Sequence, residues 1–302
     1  MPAPTSGRLS MSELKIGAAV ACRIEESYEP NFNAVKFFPD WDPAVLEEHR
    51  SWLTPNHYDA GSGFLKLSVH SWLLTVGGKR ILIDACVGNH KPRAARPLWH
   101  MQDTKYLERL AAAGARPEDI DMVMCTHLHV DHVGWNTRLL NGRWVPTFPN
   151  ARYVFSREDY DHFLAIDSDP EKGPANLGSF RDSVLPVVEA GLAQMVSGAA
   201  VLDEYLAVEP APGHTPGTIA IKFESRGERA VFCGDILHHA LQVYRPHWNS
   251  FACADAANSR ISRRRLLEEC AGGVLLMPAH FGAPFACHID RKGEGFVPRF
   301  VG

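Results

Sequence analysis

The alternation of hydrophobic and polar positions predicts a chain of β-strands separated by turns and helices. Residues 64–70 alternate as in a half-buried strand, and the two glycines at 77–78 predict a hairpin turn into a strand over residues 80–84. Capping residues and apolar faces predict helices over about 104–113 and about 255–270. Mostly apolar runs, which are typical of buried strands, occupy residues 121–125, 230–233 and 274–277.

The N-terminal part of the chain has a different pattern. Residues 1 to about 27 are small and polar with one short apolar patch at 16–22, so we expect this start to be mobile. Residues 32–58 are rich in aromatic side chains and proline, which is unusual for a disordered tail. We expect this stretch to pack on the body of the protein, on a partner subunit or over the mouth of a site. The chain is therefore divided into an N-terminal extension, residues 1–62, and a main domain, residues 63–302.

The composition is that of an ordinary globular protein, with 45% hydrophobic and 22% charged residues. The net charge of −4 does not indicate a polyanionic partner, and we interpret the basic run at 263–265 as a solvated helix face. We therefore expect no nucleic-acid partner. The seven cysteines are scattered without a Cys-x-x-Cys pair, which is typical of reduced thiols in the cytoplasm. No apolar run approaches the roughly 20 residues that span a bilayer, so we expect no membrane association.

Side chains that bind transition metals are concentrated directly after the predicted strand 121–125. His127, His129, Asp131 and His132 follow this strand closely, and imidazole nitrogen and carboxylate oxygen are both ligands for such ions. In a near-extended segment, residues two apart point the same way, so the first three can converge while His132 faces a neighbouring position. A single ion would not need all four side chains. The cluster therefore indicates two ions, with further ligands from elsewhere in the chain.

Three further candidate ligands lie at the ends of other predicted strands. His214 lies in a tight turn just before a strand, Asp235 follows the strand 230–233, and His280 follows the strand 274–277. We expect one ion to be held by His127, His129 and His214, the other by Asp131, His132 and His280, and both by a bridging Asp235. Asp84 ends the strand 80–84, where it would either orient a metal-bound histidine through a hydrogen bond or form a turn.

These motifs give the chain a resemblance to the metallo-β-lactamase-fold hydrolases. The segments 126–132, 213–214, 234–235 and 279–280 occur in the order typical of that superfamily, within roughly residues 64–285. The resemblance implies an α+β fold, a four-layer αββα sandwich, and two divalent metal ions, with Zn²⁺ as the expected ion. Within the superfamily, the chain is most similar to the branch that contains N-acyl-homoserine-lactone lactonases and methyl-parathion-hydrolase-like enzymes. Lactonases of this branch typically have a tyrosine three residues after the bridging aspartate, where this chain has His238.

The resemblance implies a hydrolase that cleaves an ester-like bond, in a lactone, carboxylic ester or phosphotriester, by attack of a metal-bridging hydroxide. Residues 63–302 would then be the catalytic domain, with Asp131 and His238 as candidate catalytic residues. His238 would be a proton donor, a substrate contact or a structural residue. We expect a small-molecule substrate with an apolar portion, and a homodimer is a candidate assembly. The candidates for an apolar pocket wall are Trp99, Trp135, Trp248 and Phe281.

Two other functions are alternatives to this hydrolase. A glyoxalase-type thioesterase shares the ligand set but resembles a fold with a substantial glutathione-binding tail, whereas only a short segment follows His280. A non-catalytic metal-binding protein on the same fold would be expected to have lost ligands, and here the full set is present. Metal content, together with loss of hydrolysis on chelation, would distinguish an enzyme from such a protein.

Overall fold

The computed structural model describes residues 13–301, which form two large sheets with helices on their outer faces. The strands are, in chain order, β1 (Glu13–Ile16), β2 (Ala19–Asn33), β3 (Tyr58–Asp59), β4 (Phe64–Val76), β5 (Lys79–Ile83), β6 (Met122–Met124), β7 (Thr137–Leu140), β8 (Arg143–Pro146), β9 (Arg152–Ser156), β10 (Ala193–Val196), β11 (Ala200–Val201), β12 (Leu206–Pro210), β13 (Ile219–Ser225), β14 (Glu228–Gly234), β15 (Leu275–Pro278), β16 (Ala286–Lys292) and β17 (Gly295–Val301). The helices are α1 (Ala34–Phe37), α2 (Ala44–Glu48), α3 (Arg50–Leu53), α4 (Tyr106–Ala112), α5 (Val130–Val133), α6 (Arg157–Asp167), α7 (Leu185–Glu189), α8 (Leu241–Tyr244) and α9 (Ala256–Cys270).

The two sheets each combine antiparallel and parallel strand pairs. The first has the order β1-β2-β4-β5-β6-β9-β10, with β3 paired to β4, and its pairs from β5 to β10 are parallel. The second runs from β11 to β17 in chain order and contains one parallel pair, β14 with β15. Strands β7 and β8 form a separate hairpin. Parallel neighbours bring the carboxyl ends of their strands to one edge of a sheet, where ligands of such folds bind.

The alternating side chains of the strands pack against opposite layers. In the pair β4–β5, Leu73 lies opposite Leu82 and both contact the layer formed by α4, α6 and α7. Their neighbours Leu74 and Ile81 face the second sheet instead. Helix α9 covers the outer face of the second sheet through side chains such as Leu267. The layers are therefore helix, sheet, sheet and helix, which confirms the predicted four-layer αββα sandwich.

The N-terminal part of the described chain is ordered and packs on the body. Strands β1 and β2 are hydrogen-bonded into the first sheet next to β4, so the expectation of a mobile start is wrong from residue 13 onward. Residues 1–12 lie outside the described residues. After β2, Phe38 and Val45 are buried in a cluster with Leu67 and Trp248. The division of the chain at residue 62 stays a prediction.

The basic run in α9 is only partly solvated. Arg264 and Arg265 are exposed, but Arg263 is fully buried and donates hydrogen bonds to the backbone carbonyls of Ile236 and Trp248. These acceptors compensate the guanidinium for its lost hydration. The interpretation of the whole run as a solvated face is therefore wrong for Arg263. Among residues 13–301, no helix combines the length and the apolar character needed to cross a bilayer.

Candidate metal centre

The predicted ligands lie at neighbouring strand ends of the two sheets. Strand β6 ends at Met124, and the loop after it carries His127 and His129 into the short helix α5, whose first turn contains Asp131 and His132. His214 lies in the connection from β12 to β13, whereas Asp235 directly follows β14 and His280 lies just beyond the end of β15. The parallel pairing of β14 with β15 places the last two side by side. This arrangement brings all the predicted ligands to one edge of the sandwich.

The first group of these side chains consists of His127, His129, His214 and Asp235. Each contributes one potential ligand atom, and these atoms all lie within 4.8 Å of one another. His129 Nδ1 lies 2.7 Å from His214 Nε2 and 3.1 Å from His127 Nε2, so the ring nitrogens face one another. A neutral imidazole has one nitrogen with a free lone pair. Nitrogens that converge in this way in a buried place fit the coordination of a cation.

The second group consists of Asp131, His132 and His280, whose ligand atoms likewise lie within 4.8 Å of one another. The Nε2 atoms of His132 and His280 are 3.3 Å apart. Both rings are buried, whereas Asp131 is partly exposed and lies on the wall of a cavity. The second group is therefore accessible from the cavity on the side of Asp131.

Asp235 joins the two groups through its two carboxylate oxygens. Its Oδ2 lies 3.2 Å from His214 Nε2 in the first group, and its Oδ1 lies 2.9 Å from His280 Nε2 in the second. His132 Nε2 also lies 3.3 Å from Oδ1. The carboxylate is 4% exposed, so its charge has little solvation from water and needs cationic neighbours. This geometry fits the predicted bridging position.

Asp235 follows a position that requires glycine. Gly234 has a φ of +46°, which side chains other than glycine rarely adopt, and a Cβ there would lie 2.3 Å from Thr126 Oγ1. The close approach lets β14 end against the segment that carries His127. The Gly-Asp dipeptide thus positions the carboxylate through backbone geometry as well as through its charge.

The outer nitrogens of the histidines are held by hydrogen bonds. His132 Nδ1 donates to Asp84 Oδ2 at 2.9 Å, so the hydrogen bond to a histidine, one of the two roles expected for Asp84, is present. His280 Nδ1 donates to the backbone carbonyl of Ser68 at 2.7 Å. Such bonds fix the ring orientation and leave Nε2 free to bind a metal. The part played by Ser68 could not be predicted, because a backbone carbonyl on another strand has no signal in the sequence.

The pKa shifts of the histidines have two physical causes. Burial lowers the pKa of His127 and His214 well below the usual value, so both are neutral at pH 7 and offer a lone pair. Burial would also lower the pKa of His132, but the carboxylates of Asp235 and Asp84 outweigh it and raise the pKa well above the usual value. The carboxylates thus favour positive charge at the centre of the cluster.

His238 lies beside the cluster rather than inside either group. Its Nε2 lies 3.2 Å from Asp235 Oδ2 and 3.3 Å from Ser250 Oγ, and its ring contacts Phe37 edge-on. The backbone N–H of His238 donates to Gln242 Oε1 at 2.7 Å, which fixes the turn after β14. Burial lowers the pKa of His238, although Asp235 opposes this. The ring lines the cavity, so its predicted proton-donor or substrate-contact role is geometrically possible.

A cavity of about 370 Å³ opens onto the cluster and reaches His129, Asp131, Asp235 and His280. Of the aromatic residues expected on its wall, Trp99 lies there. The other three expectations are wrong, because these side chains are buried in separate cores: Trp135, Trp248 and Phe281. The aromatic residues that line the cavity but were not predicted are Phe32, Phe37 and Phe251. Two of them belong to the aromatic N-terminal stretch, for which a place over a site mouth was one of the expectations.

Two adjoining clusters of histidine and aspartate at the strand ends of an αββα sandwich define the class of metal-binding hydrolases built on this fold. The family model described as the Metallo-beta-lactamase superfamily matches residues 65–280, and the chain belongs to that superfamily. This membership confirms the resemblance that the motifs indicated.

Comparisons with individual proteins agree with the superfamily. The chain is 25% identical over 171 residues to Ribonuclease TTHA0252 of Thermus thermophilus, a match covering 54% of this chain and 34% of that protein. The chain thus spans about a third of that relative's length. It is similar to the solved structure of AidC, a dizinc quorum-quenching lactonase, with TM-score 0.76, 20% identity and coverage of 97% of this chain and 98% of that one. It is also similar to the solved structure of AbOPH, a hydrolase in the beta lactamase superfamily, with TM-score 0.81, 21% identity and coverage of 98% of this chain and 99% of that one. At these identities the likeness to solved structures shows the fold.

Proposed function

We propose that this chain is a binuclear metal-dependent hydrolase that cleaves an ester-like bond in a lactone, carboxylic ester or phosphotriester. The observation that carries the proposal is the position of Asp235, whose two oxygens face two separate groups of ligand atoms at the base of one cavity. A cluster that bound a single structural ion would not need a second group of ligands open to a cavity.

The donor set fits two divalent ions, with zinc as the expected metal. Imidazole nitrogen and carboxylate oxygen are the donors that zinc takes in hydrolytic sites, and the groups supply both types. One ion would be held by His127, His129 and His214, the other by Asp131, His132 and His280, with Asp235 between them. When bound, such ions make a hydroxide nucleophile available at neutral pH and polarise the oxygen of the bond that is attacked.

The protein's own residues orient this chemistry. Asp84 and the Ser68 carbonyl fix the rings of His132 and His280, so their Nε2 atoms stay directed at the second group. His238 lies close enough to Asp235 to hold a proton at Nε2, and its place on the cavity wall makes it the candidate donor to a leaving oxygen. The aromatic wall, including Phe37, would bind the apolar part of the substrate and exclude water.

A small-molecule substrate fits this site better than a nucleic acid. The cavity wall is mostly apolar, and the basic run of α9 is not a continuous cationic surface because Arg263 is buried. The similarity to AidC supports the inclusion of lactones among the substrates. His238, which stands where lactonases of the related branch have tyrosine, supports the inclusion of phosphotriesters.

The experiment is an assay of zinc-loaded protein against acyl lactones, aryl esters and aryl phosphotriesters, with metal content measured in the same samples. We expect about two equivalents of zinc per chain and hydrolysis of at least one class that is lost on chelation and restored by zinc. A protein that binds one equivalent, or that hydrolyses none of the three classes when fully loaded, would contradict the proposal.

A further inference from the structure

Two neighbouring residues on the cavity wall, Asn176 and Leu177, have left-handed backbone conformations. Their φ and ψ angles are 51° and 53° for Asn176, and 57° and 25° for Leu177. Asparagine tolerates this conformation, but for leucine it is unfavourable because Cβ approaches the backbone. Strain of this kind persists only where the surrounding structure enforces it, and it is concentrated at functional sites.

Hydrogen bonds from both sides enforce the conformation. Asn176 Nδ2 donates at 2.6 Å to the carbonyl of Leu128, which lies between two histidines of the metal centre. On the other side, Arg93 Nη1 donates at 3.1 Å to the carbonyl of Leu177. The same guanidinium forms two hydrogen bonds of 2.7 Å with the carboxylate of Asp182. Because Arg93 is fully buried and paired in this way, it is a rigid support for the turn.

Core packing does not explain the leucine. Leu177 is only partly buried, so its side chain gains less from burial than a core leucine would. A glycine at this position would avoid the strain, as Gly178 does at φ 86°. What the leucine does provide is a part of the wall of the cavity that also reaches His129 and Asp131.

We propose that Leu177 is a specificity-determining residue, which limits the size of the apolar group that the cavity accepts beside the metal centre. Arg93 is a positioning residue that holds the Leu177 carbonyl and, with it, the side chain in place. This inference rests on the proposed function for the kind of bond that is cleaved. The size limit itself is a property of the cavity and can be measured without turnover.

The test compares Leu177→Ala and Leu177→Gly with Leu164→Ala, a matched change on α6 at a leucine that does not line the cavity. Zinc-loaded proteins are assayed with aryl esters of acetate and decanoate, and the binding of butyrate and decanoate ions is measured by calorimetry. We expect the decanoate-to-acetate ratio of kcat/KM to rise about tenfold in both Leu177 variants, mainly through KM. The ratio should stay at the wild-type value in Leu164→Ala.

Two further readouts separate specificity from folding. Leu177→Gly should melt at a higher temperature than Leu177→Ala, the reverse of the usual order, because glycine adopts the left-handed conformation freely. Arg93→Lys cannot bridge Leu177 and Asp182 in the same way and should change the ester ratio in the same direction as the Leu177 variants. If Arg93→Lys does not fold, the two Leu177 variants decide the question alone.

The outcomes distinguish this inference from the proposed function. If the wild-type protein hydrolyses none of the three substrate classes, the proposed function fails. In that case, and also when only lactones or phosphotriesters are hydrolysed, the ratio of decanoate to butyrate affinity still tests the size limit. If this affinity ratio is the same in wild type and in both Leu177 variants, the inference is wrong even when esters are hydrolysed. It is also wrong if the wild-type protein and both Leu177 variants bind neither ion.

Discussion

Replacing Asp84 by asparagine tests whether the buried hydrogen bonds behind the cluster control metal binding. Asp84 is 3% exposed, and its Oδ2 lies 2.9 Å from His132 Nδ1 while its Oδ1 accepts from the Thr126 N–H at 2.8 Å. Asparagine has the same shape but only one side-chain oxygen. One of the two donors must therefore face an amide N–H₂ group, and the ring of His132 loses its fixed orientation or the loop at Thr126 shifts.

The expected loss of metal affinity in Asp84→Asn follows from the loss of the carboxylate oxygen that accepts from His132. Removing an acceptor behind a metal-binding histidine weakens metal affinity by about 10- to 100-fold. This corresponds to about 1.4–2.8 kcal/mol of binding free energy, similar to the roughly 1.5–3 kcal/mol of a hydrogen bond to a charged group. Because His132 belongs to the second group, with Asp131 and His280, the loss should fall mainly on one of the two proposed ions.

Competition with a zinc chelator of known affinity measures the two binding constants. Asp121→Asn is the matched control, because Asp121 is exposed and its carboxylate accepts from the Arg80 N–H, away from the cluster. We expect the control to release zinc as the wild-type protein does, and Asp84→Asn to release one equivalent at a lower chelator concentration. Equal release curves for all three proteins would refute the reasoning about the hydrogen bond to His132.

Two further predictions concern stability. Burial lowers the pKa of Lys91 from 10.5 to about 7. Between these two pH values the unfolded chain binds more protons than the folded protein, so Lys91 makes the free energy of unfolding rise with pH across this window. Urea unfolding at pH 7 and pH 9 should show a smaller rise in Lys91→Met than in the wild-type protein, and an equal rise would contradict the assignment. Gly234→Ala should lose about 1–3 kcal/mol for its backbone conformation, plus the cost of a Cβ placed 2.3 Å from Thr126 Oγ1. Gly227→Ala, at φ +79° with no atom within 4 Å of the added Cβ, should have only the backbone cost, so equal unfolding midpoints would contradict the steric argument.

The positions of the candidate ligands could be predicted because they depend on local sequence. His127, Asp235 and His280 each follow a short apolar run closely, and such runs form buried strands whatever their neighbours are. The ends of parallel strands meet at one edge of a sheet, which explains why Asp235 and His280 come together after β14 and β15. His127 follows a strand of the first sheet, so its place beside them depends also on how the two sheets pack. The same reasoning gave the acceptance of a hydrogen bond from a histidine of the cluster as one of two roles for Asp84.

The N-terminal strands could not be predicted in this way. In β2 the register shifts between Glu25 and Ser27 and again between Pro30 and Phe32, so the sequence does not keep a period of two along the strand. Glu26, at the first shift, is buried, and its carboxylate accepts from N–H groups that are 61 to 109 residues away in the sequence. Because these partners are distant in the sequence, the residues around Glu26 alone indicate a polar, mobile segment and not a buried strand.

The cavity wall depends on distant contacts of the same kind. Trp135, which was expected on the wall, is buried instead because its Nε1 donates to Glu26 Oε1 at 2.7 Å and its ring stacks on Tyr106. Trp99 packs against the edge of the same core cluster but is only partly buried; its ring meets Phe32 edge-on and lines the cavity. The two residues have the same chemistry, so only the contacts made after folding separate them. The positions of the candidate ligands are therefore predictable from local pattern, whereas the cavity wall beside them, which would select the substrate under the proposed function, is not.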